Sequence, residues 1–205
     1  VPVVRPFRVQ LVDTYFAHLN SRIQNLLNSD TRANDCYKFL VIGEESVKLN
    51  SDMIMKSLDY AYDKAINGVP GLDSAIDLGE NYKGNYDDLH VASKKLVTWQ
   101  IAKAGTSGFV TNIGGMITLP VAIPANIASV LYIQTRMIAA IAHIGNHDVY
   151  DDRIKTLCYM CLTGSAITDI AKDAGIKIGV KLTEQAIRSI SASTIAKINK
   201  TVGFR

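Results

Sequence analysis

AGTSGFVTNIGGMITLPVAIPANIASVLYIQT, residues 104 to 135, runs for 32 positions without a charged side chain, in a chain that is 20% charged overall. Arg136 ends the run, and the next formal charge is Asp148. The stretch is longer than the roughly 20 apolar residues that cross a bilayer. Gly114-Gly115, Pro120 and Pro124 interrupt it, however, and Arg136 follows at once, so a single straight span is not expected. Two pieces are expected instead. One is a Gly-rich lead-in that ends at Pro120. The other is a helix introduced by Pro124, whose missing N–H costs nothing at a first helical position. From Ala125 to Ile144 the helix would be about 30 Å long at 1.5 Å per residue, with Gly145-Asn146 as its C-cap. The fold class this implies is all-α, a helical bundle around a central apolar, Gly/Pro-interrupted helical hairpin.

Punctuation and period extend this reading to both sides. Residues 1–10 form an extended arm, because Pro2 and Pro6 disfavour helix before them. Asp13 to Asn28 has helical spacing, and Cys36–Leu49 is ambiguous but taken as helix. Ser51 is a candidate N-cap, with Asp52 at the positive end of the next helix. That helix has Ile54, Leu58, Ala61, Tyr62 and Ala65 on its inner face and stops at Asn67-Gly68-Val69-Pro70-Gly71. A short helix over Leu72–Glu80 and a polar loop over Asn81–Asp88 are expected next. Asp87 or Asp88 starts a helix through Val91, Leu96, Trp99 and Ile101. Asp151 and Asp152 start another, read as continuous from Arg153 to Ala174 with Ile154, Leu157, Cys161, Ile167 and Ile170 inward, until Gly175 stops it. Ile176–Leu182 alternates like a strand, but no second strand is evident, so helix from about Ile178 is preferred. Ser191–Asn199 is a further basic helical segment.

The totals bound the function. The chain has 205 residues, 48% of them hydrophobic, a net charge of +3 and a mean hydropathy of +0.11. One core is affordable at this length. The charge is uneven. Asp52 to His90 holds eight acidic residues against three lysines, a net −5, whereas Lys177 to Arg205 holds six basic residues against Glu184, a net +5. Three cysteines (Cys36, Cys158, Cys161) do not make a secreted disulfide framework and suggest a reducing compartment. The opening VPVVRPFRVQ has no apolar h-region, so no signal peptide is read there.

The helix that follows Pro124 carries a narrow polar stripe. Tyr132, Arg136 and His143 share one side, with Ser129 a heptad before Arg136. A guanidinium at the centre of a bilayer costs about 2.5–3.5 kcal/mol on insertion scales, and in a protein core it needs a partner. Asp169 is the expected partner. The stripe is then either a structural Arg136–Asp169 pair that pins two helices or a polar ligand pocket between helices. At the basic end, Lys177, Lys181, Arg188 and Lys197 can line one side of a helix opposite Leu182, Ile187 and Ile190. That pattern suits an anionic membrane surface, with a solvated face as the alternative. Nucleic acid is not an expected partner, since stacking aromatics are nearly absent there.

Several motifs are excluded. GTSGF (105–109) and NIGG (112–115) lack the G-x-x-x-x-G-K-[ST] pattern and a preceding strand, so they are read as close-packing or hinge glycines. Cys158-Tyr159-Met160-Cys161 lacks the βαβ setting of a redox pair. It would need His143 and His147 to complete a zinc site, and two buried thiols are the simpler reading. No metal site, cofactor or catalytic set is expected. Trp99 is either core or an interfacial anchor.

LDYAYDKAINGVPGLDSA (58–75), residues 99–148 beginning WQIAKAGTSGF, the DDRIKTLCY start at Asp151 and the terminal INKTVGFR together resemble the EcsC family. That family of bacterial helical proteins is named after a member of an operon that encodes an ABC transport system. The resemblance covers roughly residues 52–205. It divides the chain into an N-terminal arm and helices over 1–50, outside the family region, and an EcsC-like helical domain over 51–205. Family members continue past the VGFR point, so the resemblance implies a C-terminally truncated domain. It implies no catalytic residue. It does imply ABC transporter components as partners and a cytoplasmic protein, peripheral on the inner face of the cytoplasmic membrane. The expected function is therefore a non-enzymatic, membrane-associated or transporter-accessory role. The alternatives are a soluble helical enzyme or lipid- or small-ligand-binding module with a pocket at Arg136 and His143, and an effector that inserts its apolar hairpin into a membrane.

Overall fold

A computed structural model describes residues 51–104, 125–163, 167–176 and 184–203. Among these the chain is mostly helical, with no strand. The helices are α1 (Ser51–Asn67), α2 (Ala75–Asn85), α3 (Leu89–Ala104), α4 (Ala125–Ile144), α5 (Asp152–Leu162), α6 (Ile167–Asp173), α7 (Glu184–Arg188) and α8 (Ala192–Gly203). The expected all-α class holds. The arm and helices expected over 1–50, and the lead-in up to Pro124, lie outside the described residues.

Helix α4 organises the packing and touches α1, α2, α3 and α5. Its limits are those read from the sequence. Its C-terminus is a Schellman motif: the His147 N–H donates to the Ala142 carbonyl at 3.1 Å and the Asn146 N–H to the His143 carbonyl at 2.9 Å. Asn146 takes the left-handed conformation that closes the motif, at φ +61°, as asparagine does more readily than most residues. From Met137 to Ile141 every residue of α4 is buried, and Ile144 is fully so. Each such large apolar side chain contributes about 1.5–3 kcal/mol when removed from water.

The α1–α2 corner is built by glycine and proline. Val69-Pro70-Gly71-Leu72 is a type II turn, with the Leu72 N–H donating to the Val69 carbonyl at 3.0 Å and Gly71 at φ +80°, where a side chain would be strained. Ser74 and Asp77 then form a capping box that opens α2. This corrects the expected second helix. It begins at Ala75, not Leu72, and continues through Asn85 where a polar loop was expected. The polar residues form exposed helical turns: the Asn85 side chain donates to the Asn81 carbonyl at 2.8 Å, Lys83 pairs with Glu80 at 3.1 Å, and Tyr82 stacks on Tyr86.

Helix α3 is capped by Asp88, whose Oδ1 accepts the N–H groups of His90 and Val91 at 2.7 and 3.2 Å. It buries Ala92, Ser93, Leu96, Val97 and Gln100, whereas Val91 and Trp99 face outward. Of the two readings of Trp99, core is corrected: the indole is exposed. The single helix expected over Arg153–Ala174 is two helices. Thr163 ends α5 by donating its hydroxyl to the Met160 carbonyl at 2.6 Å. Gly175, at φ +75°, ends α6 as expected.

Side-chain staples join the layers. Arg153 is held by its own N-cap, Asp151, at 3.1 Å and donates through Nε to the Ile190 carbonyl at 3.2 Å, which ties α5 to the end of α7. Between α1 and α5, Tyr62 and Tyr159 meet edge to face at 5.7 Å. The Tyr62 hydroxyl donates to the Val149 carbonyl at 2.8 Å. The Tyr159 hydroxyl donates to Asp59 at 2.8 Å, and Lys155 pairs with the same carboxylate at 2.6 Å while lying over both rings. Cys158 is buried in this layer, and burial pushes its thiol up to about 12.

Candidate functional site

The polar stripe of α4 faces the corner where α1 turns into α2. Tyr132 is fully buried beside Ala65, with Val69, Leu72 and Ile133 packed around the pair. One turn on, Arg136 is 6% exposed. Burial pushes its guanidinium down from its ordinary value, while Tyr132, Asp73 and Asp77 act to raise it. Burial raises the Tyr132 phenol; Arg136 opposes that shift and Asp73 adds to it. Asp73 and Asp77, on the turn and the first turn of α2, are thus the carboxylates whose charge reaches Arg136.

The Arg136–Asp169 pair expected from the sequence is not formed. Asp169 is exposed on α6 and is not among the groups that act on Arg136. Arg136 sits on the side of α4 that faces the corner. Its Nε has no hydrogen-bond partner, and the same is true of the buried Tyr132 and Thr135 hydroxyls. A buried donor left unpaired costs about 1–3 kcal/mol, so three on one helix make a conspicuous local deficit.

His143 extends the stripe but meets a different partner. Its Nε2 lies 2.5 Å from Glu80 Oε1, and Glu80 also takes Lys83. The hydrogen bonds from His143 and Lys83 hold the Glu80 carboxyl below its ordinary value. The approach of α2 to α4 beside this pair depends on Gly79: a Cβ there would lie 2.9 Å from the His143 ring and 3.1 Å from the Ala140 carbonyl oxygen. Tyr132, beside Ala65, Val69 and Leu72, and His143, at Glu80, therefore both face the α1–α2 side. His143 pairs with Glu80, and Asp73 and Asp77 act on Arg136 through their charge alone; the sequence reading connected none of the three to the stripe. The Pro-Gly turn followed by Ser74-x-x-Asp77 was the signal that could have located this corner.

Only part of the expected basic stripe falls among the described residues. Lys177 and Lys181 lie outside the described residues. Arg188 is exposed near the end of α7. Lys197 is committed to fold closure, its ammonium donating to the Asp173 carbonyl at the C-terminus of α6, where a cation satisfies an orphan acceptor. Among the described residues no three metal-ligating side chains cluster, and no helix is long and apolar enough to cross a membrane. The glycine segments GTSGF and NIGG lie outside the described residues.

Comparison with family models finds no match, and neither curated proteins nor solved structures yield a similar protein. The resemblance to the EcsC family thus rests on the sequence motifs alone.

Proposed function

We propose that the chain is an EcsC-type, non-enzymatic helical protein that works at the inner face of the cytoplasmic membrane, as an accessory to ABC transporter components. In this reading residues 104–144 form a Gly/Pro-interrupted apolar hairpin at the centre of a helical bundle, with α4 as its second limb. The observation that carries the membrane role is Trp99. It is 58% exposed on a helix whose exposed residues also include Lys94 and Lys95, and that helix leads directly into the 32-residue uncharged stretch. An exposed indole beside lysines, ahead of an apolar segment, is the chemistry of an interfacial anchor on an anionic surface. Because the Lys197 ammonium donates to the Asp173 carbonyl, this reading prefers α3 over the basic C-terminal stripe as the membrane-facing surface.

Flotation with vesicles that contain an anionic phospholipid tests this reading. The chain should rise with the vesicles, and Trp99→Ala combined with Lys94→Glu and Lys95→Glu should leave most of it at the bottom. A chain that stays wholly unbound, or floats equally well with the triple substitution, would refute it. Vesicle leakage on binding would favour the membrane-inserting effector instead. The ligand-binding alternative is supported by the unpaired polar groups of Tyr132 and Arg136.

A further inference from the structure

The last residue of α1 is an asparagine followed by glycine, Asn67-Gly68, and no other asparagine in the chain precedes a glycine. Asparagine is among the thermally labile residues. A following glycine lets the backbone nitrogen reach the side-chain carbonyl, because no Cβ obstructs the approach. Asn67 is exposed, so solvent base and water reach it. The fold nevertheless restrains its side chain. Asn67 Nδ2 donates to the Asp63 carbonyl at 3.0 Å and to Asp63 Oδ1 at 2.9 Å. Both bonds draw the amide back along α1, away from Gly68.

We propose that Asn67 is a self-modification site, latched by Asp63, whose deamidation loosens the α1–α2 corner in one direction only. When the last turn of α1 opens, the Gly68 nitrogen loses its proton to solvent base and attacks Asn67 Cγ. The new N–C bond closes a succinimide ring, the Cγ–Nδ2 bond breaks, and the departing nitrogen takes up a proton and leaves as ammonia. One water then opens the ring at either carbonyl, giving aspartate or isoaspartate at 67. Nothing is oxidised or reduced, and water is the only co-reactant. The product cannot return to the latch. Where an amide donated to Asp63, a carboxylate now meets a carboxylate four residues away on the same helix, and like charges at that spacing destabilise. The new charge also sits at the negative end of the helix dipole. The loss falls on the turn that follows. Gly68 is at φ +80°, Val69 and Leu72 close the type II turn, and both pack against Ala65 and Tyr132. The inference stands apart from membrane docking through α3.

Peptide mapping of the full folded chain, held in mildly alkaline buffer, tests the site. The peptide that contains Asn67 should gain the mass that replaces NH by O and split into aspartate and isoaspartate forms. Asn85 is the internal control. Its side chain donates to the Asn81 carbonyl at 2.8 Å and to Asn81 Oδ1 at 2.7 Å, a latch of the same form, but Tyr86 follows it, so it should react far more slowly. Asp63→Ala removes one of the two latch bonds at an exposed position and should speed conversion of Asn67 about fivefold, the effect of losing one hydrogen bond. Asn67→Asp stands in for the product and should lower the thermal midpoint by about 2–4 °C. In the Asp63→Ala background the repulsion is gone, and the same substitution should lower the midpoint at most about half as far. The proposal is overturned if Asn67 stays intact in the folded chain over a period that converts the urea-unfolded chain, or if Asn85 reacts as fast. It is equally overturned if Asp63→Ala brings no acceleration, or if Asn67→Asp costs the same with and without the Asp63 carboxylate.

Discussion

Replacing Gly79 by alanine sets two known effects against each other at one position. In a helix interior alanine is favoured over glycine by about 0.8–1.0 kcal/mol. At Gly79 the new methyl would sit 2.9 Å from His143 Cδ2 and 3.1 Å from the Ala140 carbonyl oxygen. The imidazole cannot simply swing away, because it is held by Glu80 at 2.5 Å. The carbonyl belongs to α4, which packs against α1, α2, α3 and α5 and shifts only with its neighbours. Overpacking of this kind costs about 1–3 kcal/mol, so the net expectation is a loss of about 1 kcal/mol, with a range of roughly 0–2 from the same two terms. Gly84 is the internal control. It is on the same helix, and a Cβ there meets nothing within 4 Å, so Gly84→Ala should stabilise the fold by up to about 1 kcal/mol. The difference between the two variants isolates the clash, and urea unfolding at constant pH measures it. In a thermal scan each kcal/mol should appear as about 2–4 °C for a chain of this size. If Gly79→Ala proves as stable as Gly84→Ala, the close approach of α2 to α4 at His143 is wrong, and with it the geometry of that end of the polar stripe.

Other outcomes follow from the same contacts. Tyr62→Phe orphans the Val149 carbonyl and should cost about 1–3 kcal/mol. Tyr159→Phe should cost nearer 1 kcal/mol, because Lys155 still pairs with Asp59; urea midpoints should fall in that order. Glu80 is held below its ordinary value by His143 and Lys83, so it stabilises the fold above the ordinary glutamate range and loses that contribution as pH falls through its depressed folded value. Thermal midpoints of the parent chain and Glu80→Gln should converge on acidification, and a constant gap would refute the linkage. Burial pushes the Cys158 thiol up to about 12, so it should resist alkylation at neutral pH until the chain unfolds, as peptide mass mapping can show. The same raised value means that stability falls as pH rises above the ordinary thiol value of about 8.5; Cys158→Ala should remove that fall up to about pH 10, above which Tyr62 and Tyr159, also raised by burial, add their own.

Local signals carried much of the fold. The limits of α4 could be read from Pro124 and Gly145-Asn146, and the end of α1 from Gly68-Val69-Pro70-Gly71, because these residues restrict the backbone whatever packs around them. The start of α5 at Asp151-Asp152 was legible for the same reason. What failed depended on tertiary choices. Asn81–Asn85 reads as loop by composition, yet side-chain bonds between neighbouring turns keep it helical. Trp99 fits an inner face by spacing, but α3 buries Leu96, Val97 and Gln100 instead, and the sequence does not say which side of a mixed helix meets its neighbours. Arg136 was legible as a buried cation in need of compensation. Its assignment to Asp169 failed because charge partners are chosen by helix packing. The groups that reach it come from a turn and a capping box some sixty residues earlier, and those had local explanations of their own.

The stripe on α4 is costly in a way that core packing does not explain. Tyr132 and Thr135 are fully buried and Arg136 nearly so, and each carries an unpaired polar atom. Buried charges are often replaced by hydrophobic residues of similar volume at no loss, or with a gain of 1–4 kcal/mol by general experience, and a methionine at 136 with a phenylalanine at 132 would fill this space without orphan donors. Around them the same helix follows the cheaper rule, since Met137, Ile138, Ala139, Ala140 and Ile141 are all apolar and buried. Within α4 the expense is therefore confined to about one turn, and Tyr132 in that turn packs against the corner fixed by a type II turn and a capping box. A rigid corner opposite unpaired donors is how a recognition site is held ready, because donors already in place lose little freedom when a ligand arrives. Sites that break local rules at a cost to the fold are where function is expected, and in this chain that expectation falls on the turn of Tyr132, Thr135 and Arg136.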